Sequence, residues 1–261
     1  MSIKKHKNTP KMNFKTSFNY SPNFDEKKRD SKKIKFLIFH YTGMKKESES
    51  IKRLTSIKSK VSAHYLIKNN GEIITLVPEL YIAWHAGVSF WKNYKFLNEY
   101  SIGIEITNPG HNFEYKKFSK KQIKSVLILS KFLVNKYKIL SRNILGHSDI
   151  APNRKKDPGE KFPWKYLYMN KIGFWYDLDK KKLINFRTLI INNLEKESFF
   201  KNIIKIGYSE KNFKNSNIKK TMRMKILTKA FQRRFRQDLV NGVVDKECLI
   251  ISTNLVKKLS T

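Results

Sequence analysis

Cysteine is almost missing: Cys248 stands alone in 261 residues. A single thiol excludes intrachain disulfides and cysteine-rich zinc modules, and with no histidine flanking it Cys248 reads as a small core residue rather than a nucleophile. Long apolar runs are missing as well. No uninterrupted stretch approaches the ~20 residues of a membrane span, and the basic N-terminus, MSIKKHKNTPKMNFKTSFNYSPNF, lacks the apolar segment of a secretory signal, so the expected compartment is the cytoplasm. Acidic residues are scarce, 21 Asp and Glu against 55 Lys and Arg, for a formal charge of +34. Such an excess attracts anionic partners, but nucleic-acid binding is signalled by clustered cations and the lysines here are dispersed. Neither nucleic acid nor membrane is an expected partner.

What is present is enough apolar material, 40% hydrophobic and 13% aromatic, for one substantial core and a second smaller one. Residues 1–30 are polar, interrupted by Pro10 and Pro22, and read as an extended arm. IKFLIFHYTG then reads as a strand buried on both faces, with Ile34, Phe36, Ile38 and His40 on one side by the period of two. HYLIKNNGEIITLVP reads as a hairpin about Asn70-Gly71. In SIGIEIT the isoleucines face one way, while Ser101, Gly103, Glu105 and Thr107 face the other. FSKKQIKSVLILSKFLVNKYKI places Ile123, Val126, Leu127, Ser130, Leu133, Val134 and Tyr137 at helical spacing, opened by a Ser119–Gln122 capping box. The expected fold is α/β, a mixed central β-sheet flanked by helices over 31–176. A linker at 177–188 and a small all-helical domain over 189–261 follow.

Six histidines are candidates for chemistry. His6 lies in the polar arm, His111 follows Pro109-Gly110 on a loop without an evident partner, and His64 begins a strand and reads as structural. His85, in AWHAG, either lines a cleft or caps a turn. His40 and His147 differ, because each sits where an ordered element gives way to a loop, a common place for a site. A hydrolytic zinc site needs three protein ligands and one open position, and two imidazoles with one carboxylate suffice without a thiolate. In KKDPG an extended backbone before Pro158 projects Lys155 and Asp157 to the same side. A lysine beside a cation site suits a developing oxyanion; the competing reading is that Arg154, Lys155 and Lys156 form a solvated basic turn.

Five ordered blocks, HYTG, KVSAHYLI, AWHAGVSFW, SIGIEITNPGH and GHSDIAPNRKKDPGEKFPW, span most of 30–175. Together they resemble the zinc-dependent N-acetylmuramoyl-L-alanine amidases, in particular the AmpD-type branch related to the peptidoglycan recognition proteins. The resemblance implies one zinc ion per chain, held by His40, His147 and Asp157. It also implies that Glu105 polarises the attacking water and that Lys155 stabilises the tetrahedral intermediate. The implied substrate is peptidoglycan or a muropeptide, cut between the lactyl group of N-acetylmuramic acid and L-alanine. Trp84, His85 and Trp91 are candidates for shaping the substrate groove, with a core role as the alternative.

The C-terminal stretch KAFQRRFRQDLVNGVVDKECL is more faintly similar to the helical peptidoglycan-binding repeat, with Phe231-Gln232 and Gly242 matching, Asn241 in place of Asp and Cys248 in place of Thr. These substitutions leave a three-helix fold in place, with glycan binding and packing against the first domain as alternative roles. A wall-binding role would favour the periplasm over the cytoplasm. The competing function, a non-catalytic peptidoglycan recognition protein, predicts a lost ligand or acid, and all five positions are retained.

Overall fold

A computed structural model describes residues 14–214 and 216–260; His6 and the rest of the first thirteen positions lie outside the described residues. In chain order the strands are β1 (Ser17–Phe18), β2 (Phe24–Asp25), β3 (Phe36–Tyr41), β4 (Tyr65–Ile67), β5 (Ile73–Thr75), β6 (Ile82–Ala83), β7 (Phe90–Trp91), β8 (Tyr94–Lys95), β9 (Ser101–Ile106) and β10 (Ile144–Gly146). The helices are α1 (Glu47–Thr55), α2 (Lys120–Tyr137), α3 (His147–Ile150), α4 (Trp164–Met169), α5 (Lys180–Leu183), α6 (Asn193–Ile206), α7 (Lys220–Phe235) and α8 (Lys246–Leu259).

Six strands form a mixed sheet in the order β1-β5-β4-β9-β3-β10. Strands β3 and β9 are central: β3 buries Phe36, Leu37, Ile38 and Phe39 on both its faces, and β9 buries Ile102, Ile104 and Ile106 on one. They run parallel with His40 opposite Glu105, and β10 runs parallel to β3 with Gly146 opposite Phe39. Their carboxyl ends therefore share one edge, where α/β sheets build their sites. The Asn70-Gly71 hairpin forms, with β4 and β5 antiparallel. Helix α2 opens with the expected reciprocal cap: Ser119 Oγ accepts from the Gln122 amide at 3.1 Å, and Gln122 Oε1 accepts from the Ser119 amide at 2.9 Å.

Two expectations change. The described part of the arm is extended but built into the fold, since β1 pairs with the edge of β5 and β2 with β6. An open strand edge carries unpaired backbone groups, and residues 17–18 cover those of β5. Buried Arg29 continues the attachment, donating to the carbonyls of Asn98 and Glu79 at 2.8 Å each. The stretch 177–188 is likewise a packed connection: it contains α5, buries Leu183 and joins Arg187 to Glu247 at 2.7 Å.

The C-terminal helices share a core with the sheet, for one cluster of buried side chains runs from Ile34 through Phe162 and Phe231 to Leu255. A buried ion pair crosses the junction. Arg234 Nη1 lies 2.6 Å from Asp149 Oδ2, its Nη2 donates to the Ile144 carbonyl at 2.8 Å, and the Tyr208 hydroxyl donates to Asp149 Oδ1 at 2.8 Å. Cys248 is packed inside this region, and burial pushes its thiol up to about 12. Within the helices Gln232 ties the intervening loop together, donating to Asn241 Oδ1 at 3.1 Å and accepting from the Gly242 amide at 2.8 Å.

Removing one partner of a buried pair strands the other charge. Arg234→Met is expected to lower the unfolding free energy, read from urea titration, by about 3–5 kcal/mol. A loss below about 1 kcal/mol, the worth of an exposed pair, would show that Asp149 does not depend on it.

Candidate metal centre

The strand edge brings together three groups distant in sequence. His40 ends the buried part of β3, His147 opens α3 directly after β10, and Asp157 follows the 151–156 loop, fastened to α3 where the Ser148 amide donates to the Asp157 carbonyl at 2.8 Å. His40, His147 and Asp157 are 1%, 3% and 6% exposed. Their Nδ1, Nδ1 and Oδ2 atoms form a triangle with sides of 2.9, 3.1 and 3.0 Å. The three residues form a group able to hold a metal ion.

The outer nitrogens show which lone pairs face inward. The Ser101 hydroxyl donates to the Leu97 carbonyl at 2.5 Å, so its oxygen accepts from His85 Nε2 at 3.2 Å. That leaves His85 Nδ1 as the acceptor for His40 Nε2–H at 3.0 Å, and His40 Nδ1 keeps a free lone pair. His147 Nε2 points to the Ala86 carbonyl at 3.2 Å, an acceptor only, so its Nδ1 is unprotonated too. Two imidazole lone pairs and a carboxylate oxygen facing one another at about hydrogen-bond distance repel unless a cation lies among them. The donor set, its burial and its tautomers fit a divalent metal with nitrogen and oxygen ligands.

Electrostatics agree. Burial, followed by the neighbouring His147, lowers His40 to about 4, and burial also lowers His147, so both are neutral, the form that binds metal. Glu105, paired with His40 across the sheet, has an Oε2 that is fully shielded and without a hydrogen-bond partner. Burial, and then the Asp157 charge, push it up to about 8, with Lys155 opposing.

A cavity of about 510 Å³ opens over these groups, lined by Trp84, His85, Glu105, Lys155 and Asp157 among others. Lys155 thus faces the same space as Glu105, and Lys156 reaches the cavity as well. Trp84 lies on its wall, its indole donating to Asp25 Oδ1 at 2.7 Å. His85 reaches the cavity but spends both ring nitrogens on Ser101 and His40. Trp91 does not belong to the groove: it is 1% exposed, stacked edge-on against Tyr208 at 5.0 Å, and held where a Cβ on Gly207 would strike its ring. Its place is the junction between sheet and C-terminal helices.

Some contributors carried no local signal. Gly103 is required because any Cβ there would overlap the His85 ring. His111 is held between the Tyr41 hydroxyl at 2.9 Å and Glu160 Oε2 at 3.0 Å, which fastens the 108–115 loop to the segment carrying Asp157. Arg154 donates to the carbonyls of Ala86 and Val88. His64 is structural, accepting from the Gly103 amide at 3.0 Å.

The family described as N-acetylmuramoyl-L-alanine amidase matches residues 30–160. N-acetylmuramoyl-L-alanine amidase AmiD of Escherichia coli is 34% identical over 238 residues, covering 87% of this chain and 83% of the relative. The solved complex of that AmiD with the substrate anhydro-N-acetylmuramic acid-L-Ala-D-gamma-Glu-L-Lys has a TM-score of 0.74 at 33% identity, covering 87% of this chain and 90% of that one. AmpDh3 from Pseudomonas aeruginosa is similar at a TM-score of 0.74 and 31% identity, covering 90% and 95%. With likeness along most of both chains and a convergent nitrogen and oxygen donor set beneath it, the chain belongs to the N-acetylmuramoyl-L-alanine amidase family.

Proposed function

We propose that the chain hydrolyses the amide between the lactyl group of N-acetylmuramic acid and L-alanine, with one zinc ion held by His40, His147 and Asp157. The observation that carries this reading is the convergence of His40, His147 and Asp157 on one point beneath a cavity lined by Glu105 and Lys155. When bound, zinc supplies Lewis acidity toward a carbonyl oxygen and makes water easier to deprotonate.

The chain's own groups account for the proton traffic. Glu105, as the carboxylate, takes a proton from the attacking water and then returns it to the alanine nitrogen as the carbon–nitrogen bond breaks. The Lys155 ammonium faces the oxygen on which negative charge develops. His85 keeps His40 in the tautomer whose Nδ1 is free, and the Ala86 carbonyl does the same for His147. A non-catalytic recognition protein has no use for a raised, unpartnered carboxyl beside a cation site.

Muropeptide turnover fragments are the substrate class in this reading, supported by the AmiD complex with an anhydro-muramyl peptide. Among the described residues no helix is long and apolar enough to cross a membrane. The cytoplasm is the compartment that goes with soluble fragments; intact wall as the preferred substrate would move the enzyme to the periplasm.

Metal analysis coupled to product mass spectrometry tests the assignment. The wild type is expected to hold one zinc and release the intact stem peptide, His147→Ala to lose both metal and turnover, and Glu105→Gln to keep metal while kcat falls on the order of a hundredfold or more. Normal hydrolysis by the zinc-free protein would refute the scheme. His85→Ala should weaken zinc affinity by about 10–100-fold in competition with a chromogenic chelator; an unchanged affinity would remove His85 from the metal's support.

Stability of the zinc-free protein against pH provides another test. The lowered histidines favour folding as pH rises to their ordinary 6.5. Glu105, ordinarily 4.5 and raised to about 8, binds a proton more tightly when folded, so its contribution is lost as pH rises toward 8. Between about pH 6.5 and 8 only the Glu105 effect remains. The metal-free wild type should lose stability across that window and Glu105→Gln should not; parallel curves would refute the assignment.

A further inference from the structure

A second cavity, about 270 Å³, is walled by residues 152–156 and by Ile226, Lys229 and Arg233 of α7. It shares Arg154, Lys155 and Lys156 with the larger cavity over Glu105, so the two spaces adjoin across one strip of chain. The volume far exceeds the ~30 Å³ that a water occupies in the liquid.

Arg233 is the unusual member. It is 8% exposed, yet among the described residues its guanidinium has neither a hydrogen bond nor an ion pair. The arginines around it each have a partner: Arg234 pairs with Asp149 at 2.6 Å, Arg236 with Asp245 at 3.1 Å, and Arg154 donates to two carbonyls. The acidic group with the largest bearing on Arg233 is Glu160, but Glu160 is already engaged by His111 at 3.0 Å. Lys155, Lys156 and Lys229 also lack an acidic partner among the described residues. None of its guanidinium nitrogens is sealed from solvent, so they can be reached from the cavity, and guanidinium is suited to gripping a carboxylate with two parallel hydrogen bonds.

We infer that this cavity is a carboxylate subsite, in which Arg233 and Lys229 of α7 together with Lys156 take a free carboxylate of the stem peptide while its L-alanine end lies over Glu105. Ile226 supplies an apolar wall for the peptide's aliphatic part. The inference rests on the amidase reading for the identity of the ligand. It makes the C-terminal helices part of the substrate groove, in place of a separate glycan-binding module.

The test is equilibrium binding by calorimetry to the zinc-loaded full chain, comparing the tripeptide L-Ala-D-γ-Glu-L-Lys with the same peptide carrying carboxamides in place of its carboxylates. The wild type should bind the carboxylate form about tenfold or more tightly, as expected for a charge-assisted pair, and the preference should shrink with salt. Arg233→Met, which keeps the side-chain volume, should reduce the preference to about threefold or less. Lys229→Met, on a more exposed side chain, should reduce it in part and carries the test if the first variant does not fold. Equal binding of the two peptides by the wild type, or an undiminished preference in the variants, would overturn the subsite. Hydrolysis assays on the muramyl forms separate the two claims. A wild type that cleaves both forms yet binds the peptides equally sinks the subsite and leaves the amidase. One that cleaves neither but prefers the carboxylate peptide sinks the amidase and leaves the subsite.

Discussion

Three lone pairs crowded into a dry corner are the constraint around which this chain is organised. Nδ1 of His40, Nδ1 of His147 and Oδ2 of Asp157 sit about 3 Å apart, an arrangement that is unfavourable without a cation. Holding them there requires backbone from three places: the end of β3, the start of α3 and the loop returning to Ser148. The sheet supplies the rigidity, since β3 is flanked on both sides by parallel strands with buried side chains. The hydrogen-bonded chain from the Leu97 carbonyl through Ser101 and His85 supplies the proton placement. Even the glycine at 103 follows from this requirement, because its missing Cβ makes room for the His85 ring.

Much of this was legible because the relevant signals are local or ordered. Strand β3 announces itself by an unbroken apolar run, the hairpin by Asn70-Gly71, and α2 by both its period and its cap. The histidines and Asp157 stood out through the order of the blocks around them, even though no single tetrapeptide carries the pattern. What escaped the sequence depends on contacts between distant segments. An aromatic in AWHAGVSFW reads as a groove residue, but Trp91 faces Gly207 and Tyr208, which no local pattern reveals. His85 reads as lining a cleft or capping a turn, and no local pattern shows that Ser101 and His40 claim its two nitrogens. His111 had no visible partner because Tyr41 and Glu160 lie far along the chain on either side. The arm read as extended without any visible partner, because nothing in its polar composition shows that the edge of β5 lacks a neighbour.

Charge is handled unevenly across the molecule. Most of the lysines are on the surface, where they shape the long-range field and little else. The buried arginines are different, since each one short of Arg233 is tied to an acid or a carbonyl, and Arg234 places its tie at the boundary between the sheet and α7. That boundary is where the structure joins the elements holding the metal ligands to the rest of the chain.

The Arg234–Asp149 pair has a practical bearing on how this protein can be dissected. Asp149 lies two positions beyond His147 and caps the turn before it, accepting from the Gly146 amide at 2.8 Å. Cutting the gene to the span that matches the family, 30–160, would remove Tyr208 and Arg234, bare the Trp91 indole to water and leave a lone carboxylate beneath the first turn of α3. The span that matches the family is therefore shorter than the unit that folds, and a truncated version would begin life with the helix bearing His147 unsupported.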